Sequence, residues 1–110
     1  MNLQIHIEEG NDKSHVHLSG EIDVYTAPKL KDALIPLTSK QGNTIEVNLE
    51  QVKYMDSTGL GVFVNALKSS KENGSKLKLI NLQDRVLRLF QITGLQEIMD
   101  INATIRGVNE

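Results

Sequence analysis

The chain has no cysteine and no tryptophan, and its aromatic residues are two tyrosines and two phenylalanines. Without cysteine there is no disulfide frame and no thiolate chemistry, a pattern that fits a reducing cytoplasm. So few aromatic rings leave no stacking platform for single-stranded nucleic acid. An excess of one charge is missing as well. The net charge is −2 over 110 residues, so neither nucleic acid nor an anionic membrane is an implied partner. No apolar run reaches the length of a membrane span, and no signal-peptide pattern opens the chain. The expected location is the cytoplasm. No repeat, linker or low-complexity stretch divides the sequence, so residues 1–110 read as one domain.

The residues that are present have an ordinary globular composition, and the length is enough for a real core. Leu3, Ile5 and Ile7 alternate with polar residues, as do Val16 and Leu18, and Gly10-Asn11-Asp12 between them predicts a hairpin turn. Thr26-Ala27-Pro28 reads as a helix start with Thr26 as the cap. Ala27, Leu30, Leu34 and Leu37 hold helical spacing, and Pro36 should shorten or kink the end of that helix. Ile45, Val47 and Leu49 mark a third strand, and a second helix runs from about Ser57 to Glu72. Leu77 and Leu79 mark a fourth strand, and a third helix runs from Asp84 towards Thr93-Gly94. Residues 96–105 are apolar enough to pack, but strand and helix both fit them.

The fold class is therefore α/β, with an N-terminal β-hairpin and a sheet of four to five strands. Every strand alternates, whereas a sheet covered on both faces would show continuous apolar runs. The helices should pack mainly on one face and leave much of the other wet.

The most informative stretch is Tyr54-Met55-Asp56-Ser57-Thr58-Gly59-Leu60-Gly61-Val62-Phe63. It sets an acid and a hydroxyl between an apolar strand and an apolar helix. A helix N-terminus carries unpaired N–H groups and partial positive charge, so it receives a phosphate well. Ser57 has two readings, a plain N-cap and a phosphate acceptor, and the two are compatible because both use the same N–H groups. Gly59 and Gly61 each cost about 1 kcal/mol against alanine in a helix. They make sense if another surface approaches this turn, or if the helix start packs tightly on a strand. Leu60, Phe63, Val64 and Leu67 form a core-facing stripe, while Val62, Asn65, Ala66 and Ser69 read as a low, uncharged ridge beside Ser57. Asp23 precedes the first helix. The strands before the first two helices should be parallel neighbours, which puts Asp23 and Ser57 at one sheet edge, where open α/β sheets place ligands. The plainer role for Asp23 is a local cap.

Catalytic readings find little support, and no catalytic residue is expected. A nucleophile elbow needs glycine where Met55 stands, and Gly59-x-Gly61 lacks the rest of a phosphate-binding loop. A receiver domain would want an acidic pair after its first strand, which here runs into a hairpin. His6, His15 and His17 lie in the first two strands. If Ile7 faces Val16, then His6 faces His17 and Glu8 faces His15 on the wet face. Two readings fit these histidines, a metal site and a solvated strand face; their spacing matches no known metal motif, so the solvated face is the reading taken and no metal is expected.

Gly20-Glu21-Ile22-Asp23-Val24-Tyr25-Thr26-Ala27-Pro28 and Met55-Asp56-Ser57-Thr58-Gly59-Leu60-Gly61 resemble the two signatures of the anti-sigma factor antagonists, the bacterial STAS domains. Leu87-Arg88-Leu89-Phe90-Gln91-Ile92-Thr93-Gly94-Leu95 resembles their third helix. The resemblance spans nearly the whole chain. Within the family it is closest to the branch serving the general-stress sigma B pathway of Gram-positive bacteria. The resemblance implies a small STAS-type domain with a mixed sheet. It also implies partner switching. The unphosphorylated protein binds an anti-sigma factor that is also a serine kinase, which frees the sigma factor. The kinase then phosphorylates the serine at position 57 and the complex separates, and a PP2C-type phosphatase restores the free form. ATP is used by the kinase, so this chain needs no cofactor and is no enzyme. The expected contact patch comprises Asp23, Val24, Tyr25, Thr26, Asp56, Ser57, Thr58, Gly59, Gly61, Val62 and Asn65. The alternative is a STAS-type scaffold or ligand-binding module that Ser57 does not regulate.

Overall fold

The computed structural model describes residues 2–102. Its elements in chain order are β1 (Leu3–Glu9), β2 (Lys13–Ile22), α1 (Ala27–Thr38), β3 (Thr44–Met55), α2 (Ser57–Asn73), β4 (Lys76–Ile80) and α3 (Asp84–Ile92), then a 3₁₀ turn (Leu95–Glu97) and β5 (Asp100–Asn102). The sheet has five strands in the order β1-β2-β3-β4-β5. β1 and β2 pair antiparallel, and β2 to β5 are parallel.

Strand order and chain order coincide, and this settles where the helices go. Parallel strands are joined by right-handed crossovers. When every crossover steps the same way, every helix falls on the same face. Val16, Leu18, Ile45, Val47, Leu49, Leu77 and Leu79 accordingly point into a closed core with Leu30, Leu34, Phe63, Val86 and Phe90. Phe63 of α2 meets Phe90 of α3 edge to face at 6.1 Å between ring centroids. Helix α3 thus joins the same layer as α2. The residues between the core positions, such as His17, Asn48 and Lys78, lie on the open face and keep contact with water. One row there crosses the whole sheet: Glu8, His15, Glu46, Lys78 and Asp100 stand side by side, one from each strand.

The alternation of the strands, the Gly10-Asn11-Asp12 hairpin and the three helices are as the sequence leads one to expect. Residues 96–97 complete the 3₁₀ turn and residues 100–102 form β5, which pairs with β4. The remainder of the stretch left open, residues 103–105, lies outside the described residues. Helix α1 ends at Thr38, two residues past Pro36. Proline so near a helix end removes only one backbone bond. Meanwhile Leu37 and Thr38 are buried, and the Thr38 hydroxyl donates to Ser69 Oγ of α2 at 2.8 Å. Val64 is not part of the core stripe, because it is exposed, whereas Val62 and Ala66 are buried. The face of α2 that packs inward is therefore rotated towards α1 relative to the Leu60–Phe63–Val64–Leu67 stripe.

Candidate functional site

Strands β2 and β3 end level with each other, Ile22 beside Met55, and the Asp56 N–H donates to the Ile22 carbonyl at 3.2 Å. The two loops that follow are thereby held together at one edge of the sheet. The first loop is shaped by Asp23, which is buried. Its carboxylate accepts from the N–H groups of Tyr25 at 2.9 Å and Thr26 at 3.1 Å. The buried Thr26 hydroxyl accepts from the Asp23 N–H at 2.9 Å and donates to the Glu21 carbonyl at 2.9 Å. Thr26 occupies the N-cap position of α1 but makes no side-chain cap bond. Its hydroxyl is engaged backwards, towards the strand. Both residues thus build the loop from below.

Buried polar groups at the first loop give way to exposed ones at the second. The N-cap of α2 is Asp56, whose carboxylate accepts from the Gly59 N–H at 3.1 Å. The cap reading of Ser57 is corrected accordingly: Ser57 is the first residue of the helix, and it is exposed. Asp and Ser are equally good caps, and the one whose backbone is extended takes the role; Asp56 has φ −106° and ψ −173°. With Asp56 bonded to Gly59, the Ser57 hydroxyl has no hydrogen-bond partner among the described residues. It stands at the positive end of a helix of 17 residues.

The two glycines separate cleanly. A Cβ on Gly59 would come within 2.5 Å of Ile22 Cγ2 and 2.9 Å of Met55 Cγ, so this residue lets the helix start lie against β2 and β3. A Cβ on Gly61 would meet nothing within 4 Å. Gly59 follows the packing reading, and Gly61 leaves open space at the surface.

That space belongs to a groove of about 590 Å³ between the first turns of α1 and α2, lined by Val24, Ala27, Pro28, Lys31, Asp32, Thr58, Gly61, Val62 and Asn65. Val24, in the lining of the groove, and its chain neighbour Tyr25 are 56% and 81% exposed. Of the expected patch, Val24, Tyr25, Ser57, Thr58 and Asn65 are open to solvent, Asp56 and Gly61 are half-buried, and Asp23, Thr26, Gly59 and Val62 lie beneath. Val62 still floors the groove, although it is covered on its other sides by the core. Lys31 and Asp32 were not anticipated. They follow Pro28 by three and four residues on α1, so helical spacing from Pro28 would have reached them. The histidines are far from this arrangement in the fold: they lie in β1 and β2, with His6 opposite His17 and Glu8 opposite His15.

The STAS domain sequence profile matches residues 3–108. The chain is 48% identical over 107 residues to the anti-sigma-B factor antagonist of Bacillus subtilis, covering 97% of both chains. It is 50% identical over 103 residues to the anti-sigma-B factor antagonist of Listeria monocytogenes, covering 92% of this chain and 90% of the relative. The crystal structure of a putative anti-sigma factor antagonist from Thermotoga maritima superposes with a TM-score of 0.82 at 28% identity, over 92% of this chain and 87% of that one. The five-stranded sheet with its antiparallel β1–β2 pair, and a sequence match running almost from end to end, place this chain in the STAS domain family.

Proposed function

We propose that this protein is an anti-sigma factor antagonist of the sigma B type, and that Ser57 is its switch. The observation that carries the reading is the exposed, unengaged hydroxyl of Ser57 at the start of α2, beside the groove and the solvent-facing Val24 and Tyr25. The unphosphorylated form docks on an anti-sigma factor that is also an ATP-dependent serine kinase, and the sigma factor is released for stress transcription. Val24, Tyr25, Ser57, Thr58, Gly61 and Asn65 make the contact. Asp23, Thr26 and Gly59 hold those residues in place. The kinase brings nucleotide and base; this chain brings the hydroxyl.

A phosphate on Ser57 adds nearly two negative charges at neutral pH. On the free protein the helix start offsets part of that charge, by about 0.3–1 kcal/mol. In a closed interface the dianion must lose water next to Asp56. Each loss of about 1.4 kcal/mol weakens binding tenfold, so a few such increments release the partner. A PP2C-type phosphatase then restores the hydroxyl. The groove gives one point of support to the alternative, a ligand-binding module, because its volume suits a small molecule.

The test is incubation with the cognate kinase and ATP followed by phosphopeptide mapping. Phosphate should fall on Ser57, and Ser57→Ala should bind the partner without being released. Phosphate mostly on Thr58 or Ser69, or a Ser57→Ala variant released as wild type is, would refute the switch and favour the ligand-binding reading.

A further inference from the structure

The open face of the sheet carries a cluster that the docking site leaves unused. His6 and His17 stand opposite each other on β1 and β2, with ring centroids 6.0 Å apart. Glu8 reaches both: its Oε2 lies 3.4 Å from His6 Nε2, and its Oε1 lies 3.9 Å from His17 Nε2. Two imidazoles and a carboxylate are a donor set for zinc-class ions, which take nitrogen at about 2.0–2.1 Å and carboxylate oxygen at about 2.0–2.2 Å. Those bond lengths set the spacing between ligand atoms around a tetrahedral ion at about 3.3 Å, and between two Nε2-bound ring centroids at about 5 Å. The His6–Glu8 separation already has that value. The His17–Glu8 separation and the ring pair each need to close by several tenths of an ångström to about 1 Å.

As they stand, no three such groups among the described residues enclose a metal position. The closure needed is small, and the side chains are free to make it: those of His6, His17 and Glu8 are 70%, 48% and 63% exposed. The backbone beneath them is a paired antiparallel ladder that fixes which side chains share the face. The neighbouring His15 is engaged elsewhere, its Nδ1 at 3.1 Å from Glu46 Oε1.

We propose that His6, His17 and Glu8 form a surface site for a divalent transition-metal ion of the zinc class. The ion bridges β1 to β2, with water completing its shell. It ties the edge strand β1 to β2 on the side away from the helices. The site does not depend on the proposed function.

The experiment is a zinc chloride titration of tag-free protein, read by calorimetry and by histidine ring NMR shifts. The expected result is saturable binding of one ion with shifts concentrated on His6 and His17. His17→Gln and His6→Gln should each weaken binding at least tenfold, and His15→Gln should change it less than about twofold. All three positions are on the open face, so melting in the presence of a chelator should show the variants folded. Zinc should raise the melting temperature of the wild type and leave that of His17→Gln unmoved. Absence of saturable binding up to about 1 mM zinc overturns the proposal. So does undiminished binding by the His6 and His17 variants, or a loss on His15→Gln as large as on His17→Gln.

Discussion

Gly59 and Gly61 sit two residues apart in the same helical turn, yet one faces β2 and β3 at contact distance and the other faces open space. The same division runs through the whole site. Asp23, Thr26 and Gly59 are buried and bonded or packed, whereas Val24, Tyr25, Ser57 and Thr58 alternate with them in sequence and face solvent. Each loop thus interleaves a frame with a rim. Changes to the frame should alter stability, and through it everything else. Changes to the rim should alter recognition and leave the fold alone. Under the proposed switch, a phosphate on the exposed Ser57 needs no refolding, because no frame residue need move to admit it.

The sharpest way to break that comparison is Gly59→Ala. The added methyl enters space held by Ile22 and Met55, and overpacking of this kind costs about 1–3 kcal/mol. Part of this is offset by the better helix propensity of alanine. Chemical denaturation should show a net loss with an unchanged m-value. A variant as stable as the wild type would mean that the helix start is not seated as described.

Asp23→Ala comes next. It strips the acceptor from the Tyr25 and Thr26 N–H groups, and leaving buried donors unpaired costs about 1–3 kcal/mol. Asp23→Asn keeps an acceptor oxygen and should recover most of the loss. If Asp23→Ala weakens partner binding while melting with the wild type, Asp23 belongs to the rim and the division is drawn in the wrong place. Asp56→Ala removes the cap of α2 and should cost about 1 kcal/mol. Its loss should exceed that of Ser57→Ala, which removes no side-chain hydrogen bond within the described residues.

Much of this was legible in the residues. Alternation in every strand foretold a sheet covered on one side, because burial on both faces would erase the polar positions. The paired ends of two parallel strands foretold that Asp23 and Ser57 share an edge. The split between frame and rim was not legible. Asp56 and Ser57 are both preferred caps, and only the backbone angles decide between them. The spacing of Gly59 and Gly61 says that a turn is thin on two sides, not which side meets a strand. Val62 and Val64 are alike in chemistry and two residues apart, so the orientation of α2 against α1 decides which is buried. A three-residue β5 is too short for any period to show, and it forms because β4 offers it an edge.

Gly61→Ala should have the smallest effect on the fold, and of opposite sign. No atom lies within 4 Å of the new methyl group, so no packing cost opposes the gain in helix propensity. Replacing glycine by alanine within a helix stabilises by about 0.5–1 kcal/mol, partly by restricting the unfolded chain. For a domain of this size that is a rise of a few degrees in melting temperature. The same methyl group projects into the groove between α1 and α2. A partner that seats a side chain there should bind less well to a protein that has become more stable. Gly61→Glu adds length and charge at the same point, and should weaken the complex much further with the fold intact. Loss of stability in Gly61→Ala would place Gly61 in the frame. Unchanged partner affinity in Gly61→Glu would show that the groove is not part of the contact, and would confine recognition to Ser57 and the exposed Tyr25.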